Sequence, residues 1–248
     1  MLPLEKSTMP DKCVIDIGMH DGSDTIMYLS QGYYVFAVEA NPLMAEERQK
    51  RIPAKFAGQY EILPYAVTKY DCKAEPFYVN HQTYWSSFNP VKGTKLAPWI
   101  PEGQPNGLNK VIHVDCISVK TLYEKFVRPK FEYAHYAKID VEGKDFEVLC
   151  GFAEVTRPTY ISCELGDLRL LHAMADMGYK EFKVVRQNDI INKRVQITTS
   201  TNNILEYSLE ESCSGPFGVD LHDWCDYAAA EKEITSLDTK YWYDLHAK

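Results

Sequence analysis

The sequence has no apolar run approaching the ~20 residues of a membrane-spanning helix. Its opening segment, MLPLEKSTMPDK, contains acids and prolines where a signal peptide needs an apolar stretch. Positive charge is also scarce, with 27 Lys and Arg against 35 Asp and Glu and a net charge of -8. Without an apolar run of either kind, we expect a cytoplasmic protein with no membrane partner. Because the negative average field repels polyanions, we also expect no nucleic-acid partner.

Cysteine occurs seven times, and no two cysteines are spaced C-x-x-C. This spacing gives no support for a zinc ribbon or a thioredoxin-like site. Four of the cysteines lie inside apolar runs, where a free thiol usually behaves as a small buried hydrophobe; they are Cys13, Cys116, Cys150 and Cys163. We therefore expect reduced thiols and no catalytic cysteine.

The 248 residues, 45% of them hydrophobic, are enough for one sizeable core. Apolar runs alternate with helical patterns, which predicts an α/β fold with a mostly parallel sheet and helices on both faces. We predict a single domain over residues 1–248. Within it, we expect an inserted flap at about 81–110 and an aromatic, acidic C-terminal extension at about 213–248.

The hydrophobic pattern gives the order of the elements. Strands are predicted at 13–18, 35–38, 60–67, 74–80, 111–117, 136–141, 160–165 and 182–185, with a final strand at 204–209. Helices are predicted at 23–31, 43–51, 122–126, 145–152 and 168–177, the first with Ser23 and Asp24 as capping candidates. Residues 191–203 are expected to form a loop or ragged hairpin, and residues 219–248 a helical or irregular tail.

The turn after the first strand, Asp16–Gly22, lies where ligands bind in open α/β sheets. It lacks the G-x-G-x-x-G pattern of a dinucleotide site, because His20 and Asp21 occupy the positions that would approach a pyrophosphate. A ligand without phosphate but with an amino and a carboxylate group fits this turn better. S-adenosylmethionine has that shape, and NAD fits less well.

Glu39 ends the second strand 23 residues after Asp16, near the ~20-residue spacing at which an acid reaches ribose hydroxyls. Two carboxylate oxygens suit two vicinal hydroxyls. The alternative is that both acids merely cap strand ends or helix starts. Their joint placement in a strand–helix–strand context favours a nucleoside site.

Three motifs occur in order, VIDIGMHDG at 14–22, VEANP at 38–42 and KIDVEG at 138–143. With them, residues 12–187 resemble the FkbM family of S-adenosylmethionine-dependent methyltransferases, in which D-x-G-x-x-x-G, V-E-x-N-P and K-I-D-x-E-G recur. For Lys138 and Glu142, a solvated ion pair at a strand end is as good an interpretation as a catalytic role.

The resemblance implies a Rossmann-like seven-stranded sheet, mostly parallel with one antiparallel strand, and O-methylation of hydroxyls on sugars, polyketides or related metabolites. It implies that Glu39 holds the ribose and that the Gly18–Gly22 loop carries the methionine end of the cofactor. Ala66 and Val67 would border the adenine. Asp140 would lie beside both the cofactor and the acceptor.

The predicted cofactor-binding set is therefore Asp16, Gly18, His20, Asp21, Gly22, Glu39, Ala40, Asn41, Ala66, Val67 and Asp140. Ser86-Ser87-Phe88 also resembles a serine pair of the family. The expected partner is a small-molecule or glycan acceptor. An NAD-dependent oxidoreductase and a non-catalytic nucleoside-binding module of the same fold are the alternatives.

A hydroxyl acceptor must lose its proton, and a placed base contributes ~10²–10⁴-fold to such a reaction. We predict Asp140 as the catalytic base by its position, followed by Glu164 and His20. Mg²⁺ is an alternative source of acidification, with oxygen ligands from Asp140, Glu142 and Asp115. We expect no metal, because carboxylates at strand ends do not require one.

Overall fold

A computed structural model describes residues 9–90 and 108–248 of the chain. Its strands are β1 (Cys13–Ile17), β2 (Tyr34–Val38), β3 (Tyr60–Leu63), β4 (Ala66–Thr68), β5 (Cys72–Asn80), β6 (Leu108–Ser118), β7 (Tyr136–Ile139), β8 (Tyr160–Glu164), β9 (Phe182–Arg186), β10 (Arg194–Thr198), β11 (Ile204–Ser208) and β12 (Tyr243–Ala247). Its α-helices are α1 (Ser23–Ser30), α2 (Pro42–Arg51), α3 (Val119–Leu122), which continues as a π-helical turn at Tyr123–Val127, α4 (Asp145–Val155), α5 (Arg169–Asp176) and α6 (Tyr227–Thr235).

Seven strands form the central sheet in the order β3-β2-β1-β7-β8-β12-β9. All neighbouring pairs are parallel except those of β12, which runs antiparallel between β8 and β9. Separate apolar cores cover the two faces of this sheet. The predicted Rossmann-like α/β fold, with one antiparallel strand, is confirmed.

The first strand–helix–strand unit forms as predicted, with β1 and β2 both inside the sheet. One detail differs at the start of α1, where Gly22 is the N-cap and Ser23 and Asp24 lie in the first turn. The oxygen that accepts the Ser23 N–H belongs to Asp21, 3.0 Å away. Asn41 caps α2 through the N–H of Leu43, which satisfies one of the free donors at a helix start.

The strand predicted at 60–67 is divided at Pro64. Its first half, β3, is the edge strand of the central sheet, where a proline nearby removes no ladder hydrogen bond. Its second half, β4, joins a separate three-stranded sheet in the order β4-β6-β5. Most of the predicted flap at 81–110 lies outside the described residues, and β6 already begins at Leu108.

The C-terminal part of the chain differs most from the prediction. The segment predicted as a final strand pairs instead with β10 as an antiparallel hairpin, β10–β11. The chain then returns to the central sheet as β12, which was predicted to be helical or irregular. In its sequence YDLHA the polar residues Asp244 and His246 alternate with apolar ones, which does not indicate a fully buried strand. Both polar residues are nevertheless buried, with exposures of 7% and 2%.

The C-terminal extension is attached to the domain by aromatic packing. The ring of Phe217 stacks on Tyr136 of β7 with 4.0 Å between ring centroids, and it meets Tyr28 of α1 edge-on at 5.5 Å. All seven cysteines are free, as expected. Within the described residues, no helix is long and apolar enough to cross a membrane.

We expect Phe217→Ala to destabilise the protein by ~3–5 kcal/mol, because a buried aromatic side chain is removed from between two elements. Urea denaturation would measure the loss. Val219→Ala is the matched control, since Val219 is 62% exposed and its truncation should be nearly neutral. Equal stabilities of the two variants would contradict the docking of the extension through Phe217.

Candidate active site

The site is defined by the point where the strand order reverses. Strand β1 pairs with β2 on one side and with β7 on the other, so the connections leaving β1 and β7 diverge. In open α/β sheets a cleft opens there, beyond the carboxyl ends of the strands. All three predicted motifs lie at this edge.

The loop after β1 packs tightly against the end of β7. Gly18 has a φ of +88°, and a Cβ atom there would overlap the carbonyl oxygen of Asp140. The N–H groups of Gly18 and Met19 both donate to the carbonyl of Val38 at 3.0 Å. His20 also has a left-handed backbone, with a φ of +49°, which is uncommon for a residue with a side chain and typical of functional sites.

Glu39 faces this loop and is 8% exposed. Its carboxylate accepts the N–H of His20 at 3.1 Å and the N–H of Asn41 at 2.9 Å. Burial raises its pKa to about 7, although these two bonds and the nearby Arg48 oppose the shift. The acid that was predicted to bind a ribose therefore also holds the loop that was predicted to bind the methionine end.

Beneath the loop lies a buried ammonium group. Lys138 of β7 is 4% exposed, and its Nζ lies 3.2 Å from Asp24, 3.3 Å from Asp140 and 3.8 Å from Asp16. Of the two interpretations left open for Lys138, the solvated pair with Glu142 is wrong, because the side chain of Lys138 points into the domain among aspartates. Lys138 and Asp24 were missed as site residues, since a sequence does not show that a charged side chain is buried.

Two predicted cofactor residues support the loop from within. Asp16 is fully enclosed, accepts a 2.6 Å hydrogen bond from Thr25, and has a pKa raised to about 6 by burial. Asp21 accepts hydrogen bonds from the N–H of Ser23 and the hydroxyl of Ser212. These bonds tie the loop to α1 and to the C-terminal extension.

The segment after β5 reaches across the site and contacts it on both sides. Nε2 of His20 lies 2.8 Å from Oγ1 of Thr83, and the hydroxyl of Ser87 donates to the carbonyl of Glu142 at 2.7 Å. The serine pair noted in the sequence thus touches the KIDVEG turn. Thr83 was missed, because no sequence signal links it to a histidine 63 residues away.

Three carboxylates converge at the ends of β7 and β8. One oxygen each of Asp140, Glu142 and Glu164 lie within 4.8 Å of one another, and all three residues are half-buried. The turn that carries Glu142 is fixed by Asp145, which accepts the N–H groups of Val141 and Gly143. Two of the predicted catalytic residues are therefore brought together.

Asp115, named in the sequence as a ligand only for the alternative in which Mg²⁺ is bound, does not belong to this group. Its side chain lies on β6, half-exposed, and pairs with Lys73 at 2.6 Å. Its partner Lys73 lies on the neighbouring strand β5. The third carboxylate beside Asp140 and Glu142 is that of Glu164, which was predicted as a catalytic base.

The residues predicted around the adenine lie on two sides of β4. Ala66 packs in a small cluster with Ala40, beside Phe77 and Phe88. Val67 points the other way, into the main core. An open groove of about 420 Å³ adjoins this cluster and includes Tyr78, Phe88 and Lys144 among its lining residues.

The parallel sheet with its switch point at β1 belongs to the open α/β class, in which ligands bind beyond the carboxyl ends of the strands. Comparison with protein families assigns the class more closely: residues 16–187 match the Methyltransferase FkbM domain. The chain belongs to the FkbM methyltransferase family and is a methyltransferase. The predicted resemblance is confirmed.

Other comparisons are weaker. No curated protein sequence matches the chain. Among solved structures, the precorrin-8W decarboxylase of Methanobacterium thermoautotrophicum is similar over 97% of this chain and 83% of its own, with a TM-score of 0.41 and 8% sequence identity.

The raised pKa of Glu39 makes stability depend on pH. The Glu39 carboxyl group binds its proton more tightly in the folded protein than in the unfolded chain, where its pKa is near 4.5. Ionisation of Glu39 therefore destabilises the fold increasingly as the pH rises from about 4.5 to about 7. We expect Glu39→Gln to gain stability over the wild type between about pH 5 and about pH 8, by on the order of 3 kcal/mol.

Urea denaturation of both proteins at the two pH values measures this difference. The groups that face Glu39, namely Arg48, Asp16 and His20, are present in both proteins, so their own titration largely cancels. A difference in stability that does not change with pH would show that Glu39 is ionised normally in the folded state.

Proposed function

We propose that this methyltransferase transfers the methyl group of S-adenosylmethionine to a hydroxyl oxygen of a small metabolite or glycan. One observation carries the proposal. At the switch point, the carboxylate of Glu39 and the tight Gly18 loop lie on one side, and the three clustered carboxylates lie on the other. A cofactor site and an acceptor site therefore adjoin at one edge of the sheet.

The residues around β1 and β2 suit the cofactor. Each oxygen of Glu39 accepts one backbone hydrogen bond, and a carboxylate oxygen can accept more, so ribose hydroxyls can share it. Ala40, which is half-buried and packs against the buried Ala66, offers a small apolar surface for an adenine. The aspartates around Lys138 outnumber its single charge, which favours a ligand that carries an ammonium group.

The residues around β7 and β8 suit an oxygen acceptor. When bound, S-adenosylmethionine supplies an electrophilic methyl group on a positively charged sulfur. Asp140 takes the proton of the acceptor hydroxyl, with Glu164 beside it, and Lys138 holds the Asp140 carboxylate at 3.3 Å. The Thr83–Ser87 segment covers the cleft and limits water.

His20 is the least suited of the predicted bases. Its Nε2 is already engaged with Thr83, and burial lowers its pKa, so it stays neutral and serves as a bridge between the loop and the covering segment. The groove lined by Tyr78 and Phe88 offers aromatic surface next to Lys144, two residues after Glu142, which suits a polyhydroxylated ring. We assign this groove to the acceptor.

Two alternatives to methyl transfer are an NAD-dependent oxidoreductase, which would bind another cofactor, and a non-catalytic module, which would turn over no substrate. An NAD-dependent oxidoreductase would need room for a pyrophosphate, where this chain places His20 and Asp21, and family membership favours methyl transfer. A non-catalytic module of the same fold would bind the cofactor and release no S-adenosylhomocysteine. Formation of S-adenosylhomocysteine with a panel of sugars and hydroxylated metabolites separates this alternative from the proposal.

A thermal-shift titration tests the cofactor. We expect S-adenosylhomocysteine at 100 times its dissociation constant to stabilise the protein by ~2.7 kcal/mol, which corresponds to a rise in Tm of a few degrees. NAD should give no shift.

Glu39→Ala should weaken S-adenosylmethionine binding by on the order of 10–100-fold, because hydrogen bonds to a charged group are lost.

Glu206→Ala is the matched control, since Glu206 lies exposed on the β10–β11 hairpin and its loss should leave cofactor affinity unchanged. A shift with NAD alone, or an unchanged affinity in Glu39→Ala, would overturn the assignment of the cofactor site.

A further inference from the structure

Two cysteines face each other across the three-stranded sheet. In the antiparallel pairing of β5 with β6, Cys72 lies opposite Cys116. Paired side chains leave the same face of a sheet, and both cysteines line the groove beside Tyr78 and Phe88. The thiol of Cys72 also acts on that of Cys116 through a side-chain hydrogen bond, so the two sulfur atoms are neighbours. A pair of thiols therefore borders the groove that we assign to the acceptor.

The backbone spacing at this pair already suits a disulfide bond. Residues that pair directly in an antiparallel ladder have Cα atoms about 4.5–5.5 Å apart. A disulfide bond requires about 4.4–6.8 Å between the same two atoms. The thiols of Cys72 and Cys116 can therefore be joined mainly by rotation of their side chains, with little movement of either strand.

Polar contacts hold the two strands together on both sides of Cys72. Before it, the carboxylate of Asp71 accepts the N–H of Ser118 at 2.7 Å. After it, the ammonium group of Lys73 pairs with the carboxylate of Asp115 at 2.6 Å. These contacts join β5 to β6 on either side of the two cysteines. They fix the register that places the thiols face to face.

The other cysteines are placed differently. Within the described strands, no other pairing sets one cysteine opposite another. Cys13 lies opposite Tyr34, and Cys225 lies opposite Phe182 in an isolated bridge. The arrangement is therefore particular to the pair on β5 and β6.

The two thiols differ in exposure, which gives them different roles. Cys72 is half-buried at the groove, whereas Cys116 is 3% exposed. Burial, together with the neighbouring Cys72, raises the pKa of Cys116 to about 12, so its thiolate is rare while Cys72 is free. Cys72 is therefore the thiol that an oxidant in the groove meets first.

We propose that Cys72 and Cys116 are a reversible redox pair, which a small-molecule disulfide of the glutathione type converts into one disulfide bond. The thiolate of Cys72 attacks one sulfur of the small disulfide, and a mixed disulfide forms as the old sulfur–sulfur bond breaks. Cys116 then attacks the Cys72 sulfur and releases the second small thiol. The protein loses two electrons and two protons, and the small disulfide gains them and leaves as two thiols.

The bond would change one wall of the groove, because it brings two separate sulfur atoms to ~2.05 Å from each other. Its formation depends only on the two cysteines, whereas its effect on catalysis rests on the proposed function. We expect oxidation to raise the KM for the acceptor several-fold, since a fitted surface loses contacts when part of it moves. Reduction with dithiothreitol should restore the original KM.

Oxidised glutathione, added to the reduced full-length chain, tests the pair. We expect two fewer free thiols than the seven of the reduced protein, counted with a thiol reagent in denaturant. Peptide mass spectrometry should find Cys72 linked to Cys116, and dithiothreitol should release the link. Cys72→Ser and Cys116→Ala should each abolish it. Cys225→Ser, a matched half-buried control, should form the link as the wild type does.

Circular dichroism and Tm show whether each variant folds. If the buried Cys116→Ala variant does not fold, Cys72→Ser decides alone, because a half-buried side chain tolerates this substitution. Seven free thiols after treatment, a glutathione adduct that persists on Cys72, or a link between other cysteines would overturn the redox pair.

The redox pair and the proposed function fail separately. A protein that binds S-adenosylhomocysteine but forms no disulfide would retain the proposed function and lose the redox pair. A protein that forms the disulfide but binds no S-adenosylhomocysteine would retain the redox pair and lose the proposed function. An acceptor KM that is the same before and after complete oxidation would overturn the effect on the groove.

Discussion

The buried ammonium group of Lys138 is the interaction on which the site depends. It joins β1, α1 and β7 through Asp16, Asp24 and Asp140 in the interior of the domain. Removing one member of such a cluster would leave uncompensated buried charge, which is far more costly than losing an exposed ion pair. The floor of the cleft is therefore held together by charges as well as by apolar packing.

The same cluster explains how the C-terminal extension belongs to the site. Asp24 also accepts the N–H of Ser214 at 2.8 Å, and Ser212 donates to Asp21. The chain beyond the family match thus closes the loop from the outside, while Phe217 attaches it to β7. A segment that looks like an appendage in the sequence completes the walls of the cleft.

The sequence predicted the central βαβ units because buried parallel strands are short, continuous apolar runs that end in glycine or acid. It also predicted which strand ends meet, since β1, β2 and β7 carry the motifs. It did not predict that Pro64 sends the chain into a second sheet, or that Asp244 and His246 lie inside the first. Both errors concern partners that are distant in sequence, and local patterns do not identify such partners.

Burial is the property of the site residues that the sequence does not show. A sequence does not distinguish an acid that is exposed to solvent at a strand end from one that is buried there. In the structure Asp16, Glu39 and Asp244 all have raised pKa values because they are enclosed. Such placement lowers stability, so packing does not account for it. The three acids lie on β1, just after β2 and on β12, toward the edge of the sheet where ligands bind in open α/β folds.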